Sequence, residues 1–243
     1  MTRTFLVPPL LGLLTSVVGC APAPPPAASE PAATTSTTSG GEAEPSPTPI
    51  RTTVPVPVPQ PAVAREALSE PLQAVWTRTE QTIAIAAPEP PAEATTDAVT
   101  EWSQGPFTEW LQRRAQASRE LVQALDPVPE EPAYERAVAA GLVGLAYEDF
   151  VASARGAPIP EDISADPELL GIYVGALDAA LEPVAIESVQ LYSICASRIR
   201  ELGDESPWTD WRAYCVDRGR AVIETYRLVP VGEPAGATEE PTG

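Results

Sequence analysis

Residues 195–215, CASRIRELGDESPWTDWRAYC, contain the ends of two helical segments and the turn between them. Leu202-Gly203 stops the first segment, because glycine readily takes the backbone conformation that closes a helix. Ser206-Pro207 opens the second, a capping residue followed by a proline suited to a first turn. Cys195 and Cys215 are equally distant from residue 205, inside that turn, so an antiparallel hairpin sets them at one height. Each also lies on the apolar stripe of its own segment: Leu191, Tyr192, Cys195, Ile199 and Leu202 on the first, Trp208, Trp211, Cys215, Val222 and Tyr226 on the second. The two thiols are therefore expected to face each other.

Working outward, helical periodicity persists. The helix before the hairpin opens at Asp166 as N-cap with Pro167 at the first helical position, and Pro183 is expected to kink or break it. Its GIYVG segment, Gly171 to Gly175, has small residues four apart, a spacing that lets another helix approach closely. A segment from about Pro132 to Ala154 is apolar on most sides between Ala137 and Ala146, which predicts the central helix. Upstream, Phe107, Trp110, Leu111, Arg114, Ser118, Leu121 and Leu125 mark another stripe, with Gly105-Pro106 expected to separate it from a short turn at Asp97 to Ser103. The first helix is entered at Ser69-Glu70-Pro71 and carries Leu72, Val75, Trp76, Thr79 and Ile83. No run alternates with period two for long enough to form a sheet. The predicted fold is all-α, a helical-hairpin bundle of about five to six helices over residues 62–228.

The N-terminus predicts the compartment. Residues 1–19, MTRTFLVPPLLGLLTSVVG, show one early Arg, an apolar stretch broken by Pro8-Pro9, and a small residue before Cys20, the plan of an export signal. Val17-Val18-Gly19-Cys20 resembles the bacterial lipobox. That resemblance implies removal of residues 1–19, diacylglycerol and N-acyl groups on Cys20, and a stable anchor, since several acyl chains exceed what membrane retention requires. Ala21 follows the lipid site where an Asp would signal inner-membrane retention in some bacteria, so the outer membrane is the expected location. Residues 20–61, with the run VPVPVPQP at 54–61, lack the large apolar groups that offset ordering entropy and are expected to be a disordered polyproline-like tether, a spacer and not a docking motif. The acidic, Gly- and Pro-rich residues 229–243 are expected to be disordered as well. Export to an oxidising compartment, with Cys20 committed to lipid, predicts a Cys195–Cys215 disulfide.

The 243 residues include no Lys, no His and no Asn. Imidazole-based nucleophile systems, imidazole metal ligands, a phosphate-loop lysine and Schiff bases are thereby excluded. The net charge of −19 disfavours nucleic acid as a partner. Loss of residues 1–19 removes Arg3 and no acid, leaving 14 Arg against 34 acidic residues, or −20. The acid candidates are Glu148-Asp149, late in the central helix, and Glu187-Ser188, a pair otherwise found in helical lytic transglycosylases; the rest of that family's motif is missing here. Two thiols without His or a third sulfur make no zinc site, and no cofactor is expected. The tryptophans read first as core anchors; Trp208 and Trp211, beside the turn, are the candidate partner surface if partly exposed.

Asp166-Pro167-Glu168-Leu169-Leu170, Tyr173, Pro183, Tyr192, Cys195, Leu202-Gly203, Trp208 and Trp211 resemble the helical region that follows tetratricopeptide repeats in some cell-envelope proteins of myxobacteria, over residues 132–226. The 34-residue repeat itself is not intact. The resemblance implies a helical module in an envelope assembly and transfers no catalytic residue. The expectation is a non-enzymatic, outer-membrane-anchored lipoprotein whose helical domain binds an unidentified envelope protein. The alternative is a helical carrier or sensor of a small apolar or cationic ligand, which needs a cavity of about 300 Å³ between helices.

Overall fold

The computed structural model describes residues 52–228; Cys20, the lipobox, residues 20–51 of the expected tether and the 229–243 tail lie outside the described residues. Among the described residues there are no strands, and six helices have at least seven residues. Helix α1 (Glu70–Ile83) starts where the sequence indicates, with Ser69 Oγ accepting from Leu72 N at 3.3 Å. Ser69 is itself gripped by the buried Glu135: its N donates to Oε1 at 3.0 Å and its hydroxyl to Oε2. The cap of α1 is thus tied to a helix that begins more than sixty residues later.

Helices α2 (Thr96–Trp102) and α3 (Thr108–Gln123) are not separated at Gly105-Pro106 but joined by a π-helical turn, Ser103–Phe107. Proline lacks the N–H of the regular ladder and its ring crowds the carbonyl four residues back. A widened turn relieves both problems without ending the helix. Trp102, Phe107 and Trp110 stack in series across this turn, with ring centroids 4.6 and 5.3 Å apart.

Helix α4 (Ala133–Arg155) is the central one, buried along most of its length. An 18-residue window of it has mean hydropathy 1.3 and is 78% buried, the signature of a core helix. A single-turn α5 (Glu161–Ser164) leads to α6 (Pro167–Glu201), in which Asp166 Oδ1 accepts from Glu168 N and Leu169 N at 2.9 and 3.2 Å. Pro183 does not break α6. It sits on the solvent side, as does Ala179, whose carbonyl loses its helical partner and can turn to water instead. Leu202 and Gly203, at φ 84°, close α6, and α7 (Thr209–Tyr226) returns antiparallel to it.

The principal interfaces are α4 with α6, α6 with α7, and α1 with α4. Glycine sets the closest approach, though at different positions from those the sequence suggested. A Cβ on Gly144 would lie 3.3 Å from Leu191 Cβ, Ser188 O and Tyr192 Cδ1, so α4 and α6 meet backbone to side chain there. Gly171 and Gly175, in contrast, have nothing within 4 Å of that position, so neither glycine of the GIYVG segment marks a close helix approach. The first half of α6 is instead exposed. An 18-residue window of α6 has mean hydropathy 1.6 yet is only 17% buried, and Leu169 and Ile172 are 45% and 64% exposed.

The folded unit also begins earlier than residue 62. Thr53 is buried, Val58 packs against the core, and residues 53–60 lie along α7.

Candidate functional site

The hairpin brings Cys195 and Cys215 together, with Sγ atoms 2.11 Å apart and Cα atoms 6.2 Å apart. Both residues are buried, and a Cβ on Gly141 of α4 would lie 3.0 Å from the Cys215 sulfur and 3.1 Å from that of Cys195. The sulfur pair therefore rests directly on the backbone of the central helix.

Trp208 and Trp211 do not form a partner surface. They are 4% and 1% exposed. Trp208 stacks on Tyr134 of α4 at 4.4 Å and 10°, while Trp211 meets Trp76 of α1 edge-on at 5.6 Å. Read from the hairpin alone, both indoles flank an open turn; what covers them comes from α1, the start of α4 and residues 53–60, all remote in sequence.

The densest polar constellation lies deeper. Glu148 of α4 is 3% exposed and takes hydrogen bonds from Arg218 Nε at 3.2 Å, from Arg218 Nη2, and from Tyr192 Oη at 2.7 Å. Carboxylate, guanidinium and phenol thus join α4, α6 and α7 through one buried point. Burial and then the Glu148 charge hold the Tyr192 hydroxyl well above the usual phenol range, and the same causes push Tyr214 up to about 12. Burial works against the Arg218 charge, but the bond and attraction to Glu148 outweigh it and raise its pKa. The neighbouring Asp149 is taken by the buried Arg114 at 2.6 Å, whose guanidinium also donates to Thr82 O. Burial lowers the Arg114 pKa, with Asp149 opposing. Both members of the Glu148-Asp149 pair are therefore arginine partners serving as ties between helices. Ser188 Oγ donates to Gly144 O at 2.8 Å inside the core while Glu187 is exposed, so the Glu187-Ser188 pair forms no joint site.

Two concave features lie at the ends of α7. A pocket of about 200 Å³ is lined by Arg155, Asp178, Glu182, Tyr226 and Arg227. Within it Arg155 contacts Asp178 at 2.6 Å and lies over the Tyr226 ring at 4.8 Å. A wider, open groove of about 680 Å³ runs between residues 60–66 and α1, walled by Trp76 with Arg65 over its ring at 5.2 Å and Glu80 bound to Arg65 at 2.9 Å. None of Glu148, Tyr192, Tyr214 and Arg218 lines either of them. Among the described residues, no three Cys, Asp or Glu side chains gather as a metal site.

No family model matches the chain, and no curated protein or solved structure matches it either. The unanticipated element of the chain is the segment 53–60. The indole N–H of Trp211 donates to Gln60 O at 3.3 Å, and Thr53 Oγ1 lies 3.5 Å from Tyr226 Oη. From residue 211 to residue 226, α7 rises about 22 Å at roughly 1.5 Å per residue. Seven steps of polyproline II at about 3.1 Å span the same distance, about 22 Å. The alternating Val and Pro thus run extended and antiparallel to α7, seated on it at both ends. The sequence reading treated this run as spacer because low apolar content predicts disorder; the one available signal was a stripe tryptophan on α7 whose N–H needs an acceptor.

Proposed function

We propose that this protein is a non-enzymatic lipoprotein, anchored in the outer membrane through Cys20, whose helical domain is a protein-interaction or scaffold module of the cell envelope. The observation that carries the interaction reading is the exposed apolar first half of α6, a helix window of mean hydropathy 1.6 that is 17% buried. Leu169 and Ile172 stand exposed on this stretch, and exposed apolar side chains on one helix are what a partner covers. The adjacent acids of α4 support the non-enzymatic reading, since the buried Glu148 and the partly exposed Asp149 are each paired with an arginine. The carrier reading receives less support: the pocket at Arg155 holds about 200 Å³, short of the roughly 300 Å³ a small ligand needs, and the groove of about 680 Å³ beside Trp76 is an open surface feature and not a cavity between helices of the bundle.

The test has two parts. The full-length chain and its Cys20→Ser variant are expressed in a bacterium with lipoprotein processing and fed a labelled fatty acid. Incorporation and membrane fractionation of the wild type alone are expected; label on both, or on neither, would defeat the anchor. Mild crosslinking with the domain intact is expected to recover one defined envelope protein, and Ile172→Glu is expected to abolish that recovery. A pull-down unaffected by the charge on α6 would overturn that surface as the site of contact.

A further inference from the structure

The seat of residues 53–60 combines the features by which extended proline-rich chains are recognised. An indole N–H aimed at a backbone carbonyl fixes one end and a phenol the other, over a length matched to the polyproline rise, with Trp76 packed edge-on to that indole and Val58 against the core between them. The resident segment is lightly held. Thr53 is buried and Val58 half-buried, but Val54 and Val56 are 75% and 44% exposed. Its two polar contacts, at 3.3 and 3.5 Å, are long. Segments with so few buried contacts open at low cost, and proline lowers the entropy lost on reseating. The surface also extends past the resident segment. Beyond Gln60 the open groove of about 680 Å³ presents Trp76, with Arg65 over its ring, as a further aromatic wall.

We propose that the face of α7 from Trp211 to Tyr226, continued by the Trp76 groove, reads proline-rich extended segments, with residues 53–60 as a resident ligand that a proline-rich segment of a partner protein displaces. The proposal rests on the reading of the domain as a protein-interaction module, and this surface is a second one, separate from the exposed face of α6. Its test involves no membrane and no lipid, so failure here leaves the anchor untouched, and failure of the anchor leaves this surface standing.

The experiment uses the full chain in three forms: wild type, a released form carrying Pro55→Gly, Pro57→Gly and Pro59→Gly, and the released form with Tyr226→Phe. The probe is a fluorescein-labelled peptide of sequence TTVPVPVPQP, followed by fluorescence anisotropy; far-UV circular dichroism confirms that each form is helical. A segment joined in cis acts at an effective concentration in the millimolar range. The released form is therefore expected to bind the peptide at least ~10-fold more tightly than wild type. Tyr226→Phe is expected to weaken that binding about 3- to 10-fold, and a peptide with glycine at the three proline positions to bind at least ~10-fold more weakly. Exchange of the Trp211 indole hydrogen, followed by NMR, should be faster in the released form. A helical released form that binds the peptide no better than wild type would overturn the proposal. So would equal binding of the glycine peptide, or a Trp211 exchange rate unchanged on release.

Discussion

Gly141→Ala places a methyl group where α4 meets the hairpin. The added Cβ would lie 3.0 and 3.1 Å from the two sulfurs and 3.4 Å from Trp211 Cζ3. None of these neighbours has freedom to give way: both cysteines are buried and joined to opposite arms of the hairpin, and the indole is wedged against Trp76. Overpacking of a well-filled core costs about 1–3 kcal/mol. With neighbours that cannot move, the cost falls in the upper part of that range, about 2–3 kcal/mol, from which alanine recovers roughly 1 kcal/mol of helix propensity over glycine, leaving a net destabilisation of about 1–2 kcal/mol. The same substitution at Gly175 meets nothing within 4 Å and keeps only the propensity gain, so it stabilises by about 0.5–1 kcal/mol. Equilibrium urea unfolding of both variants reads the two signs directly, and for a domain of this size each kcal/mol moves Tm by about 2–4 °C. In a background lacking both sulfurs, Cys195→Ala with Cys215→Ala, the penalty of Gly141→Ala should shrink, because the atoms the methyl meets are gone. Gly141→Ala as stable as the wild type, or a penalty unchanged without the sulfurs, would refute the idea that contact with the disulfide fixes the glycine.

Glu148→Ala leaves the buried Arg218 guanidinium and the Tyr192 hydroxyl without their acceptor and should cost about 3–5 kcal/mol in chemical denaturation, whereas exposed Glu187→Ala should stay within about 0.5 kcal/mol. All six tyrosines are held above the usual phenol value, Tyr147 and Tyr214 up to about 12, each chiefly by burial. A raised folded-state pKa gives stability that is complete below pH 10 and is lost as pH climbs from 10 to 12, by roughly 2–3 kcal/mol for each of Tyr147 and Tyr214. Phenolate absorbance at 295 nm should therefore rise late and together with loss of helical circular dichroism, and an independent rise at pH 10 would contradict this. Reduction of the 20-residue Cys195–Cys215 loop should remove about 3 kcal/mol. Because both sulfurs are buried, alkylation after mild reductant should track unfolding; rapid reduction of the native protein would count against the packing described.

Much of the helical plan was legible because its signals are local. Asp166-Pro167 caps and starts α6, Ser69 caps α1, Gly203 ends α6, and Cys195 and Cys215 pair across their turn, each through groups within a few residues or one hairpin of each other. The errors share a cause as well. Pro183 reads as a kink or a break; it is not a break, because the effect depends on whether the orphaned carbonyl faces water or core, and α6 presents it to water. Gly171 and Gly175 read as a close-packing site because small residues permit approach, but permission does not supply a neighbour. Trp208 and Trp211 read first as core anchors, and they are buried; what the sequence could not show is that Tyr134, Trp76 and residues 53–60 cover them from elsewhere in the chain.

By itself the sequence determined the all-α class, the capped starts of α1 and α6, the cysteine pair and an inventory without Lys, His or Asn, since composition, capping and periodicity act over a few residues. Only the tertiary structure decided which polar groups are spent. Glu148 and Asp149 are adjacent carboxylates in the chain, and they became ties to Arg218 and Arg114 because helices distant in sequence delivered those cations to them, Glu148 in the core and Asp149 at its edge. It also decided that a run of Val and Pro is seated and not free: a polyproline segment cannot bury itself, and its order depends on an indole and a phenol spaced by α7 to match its length.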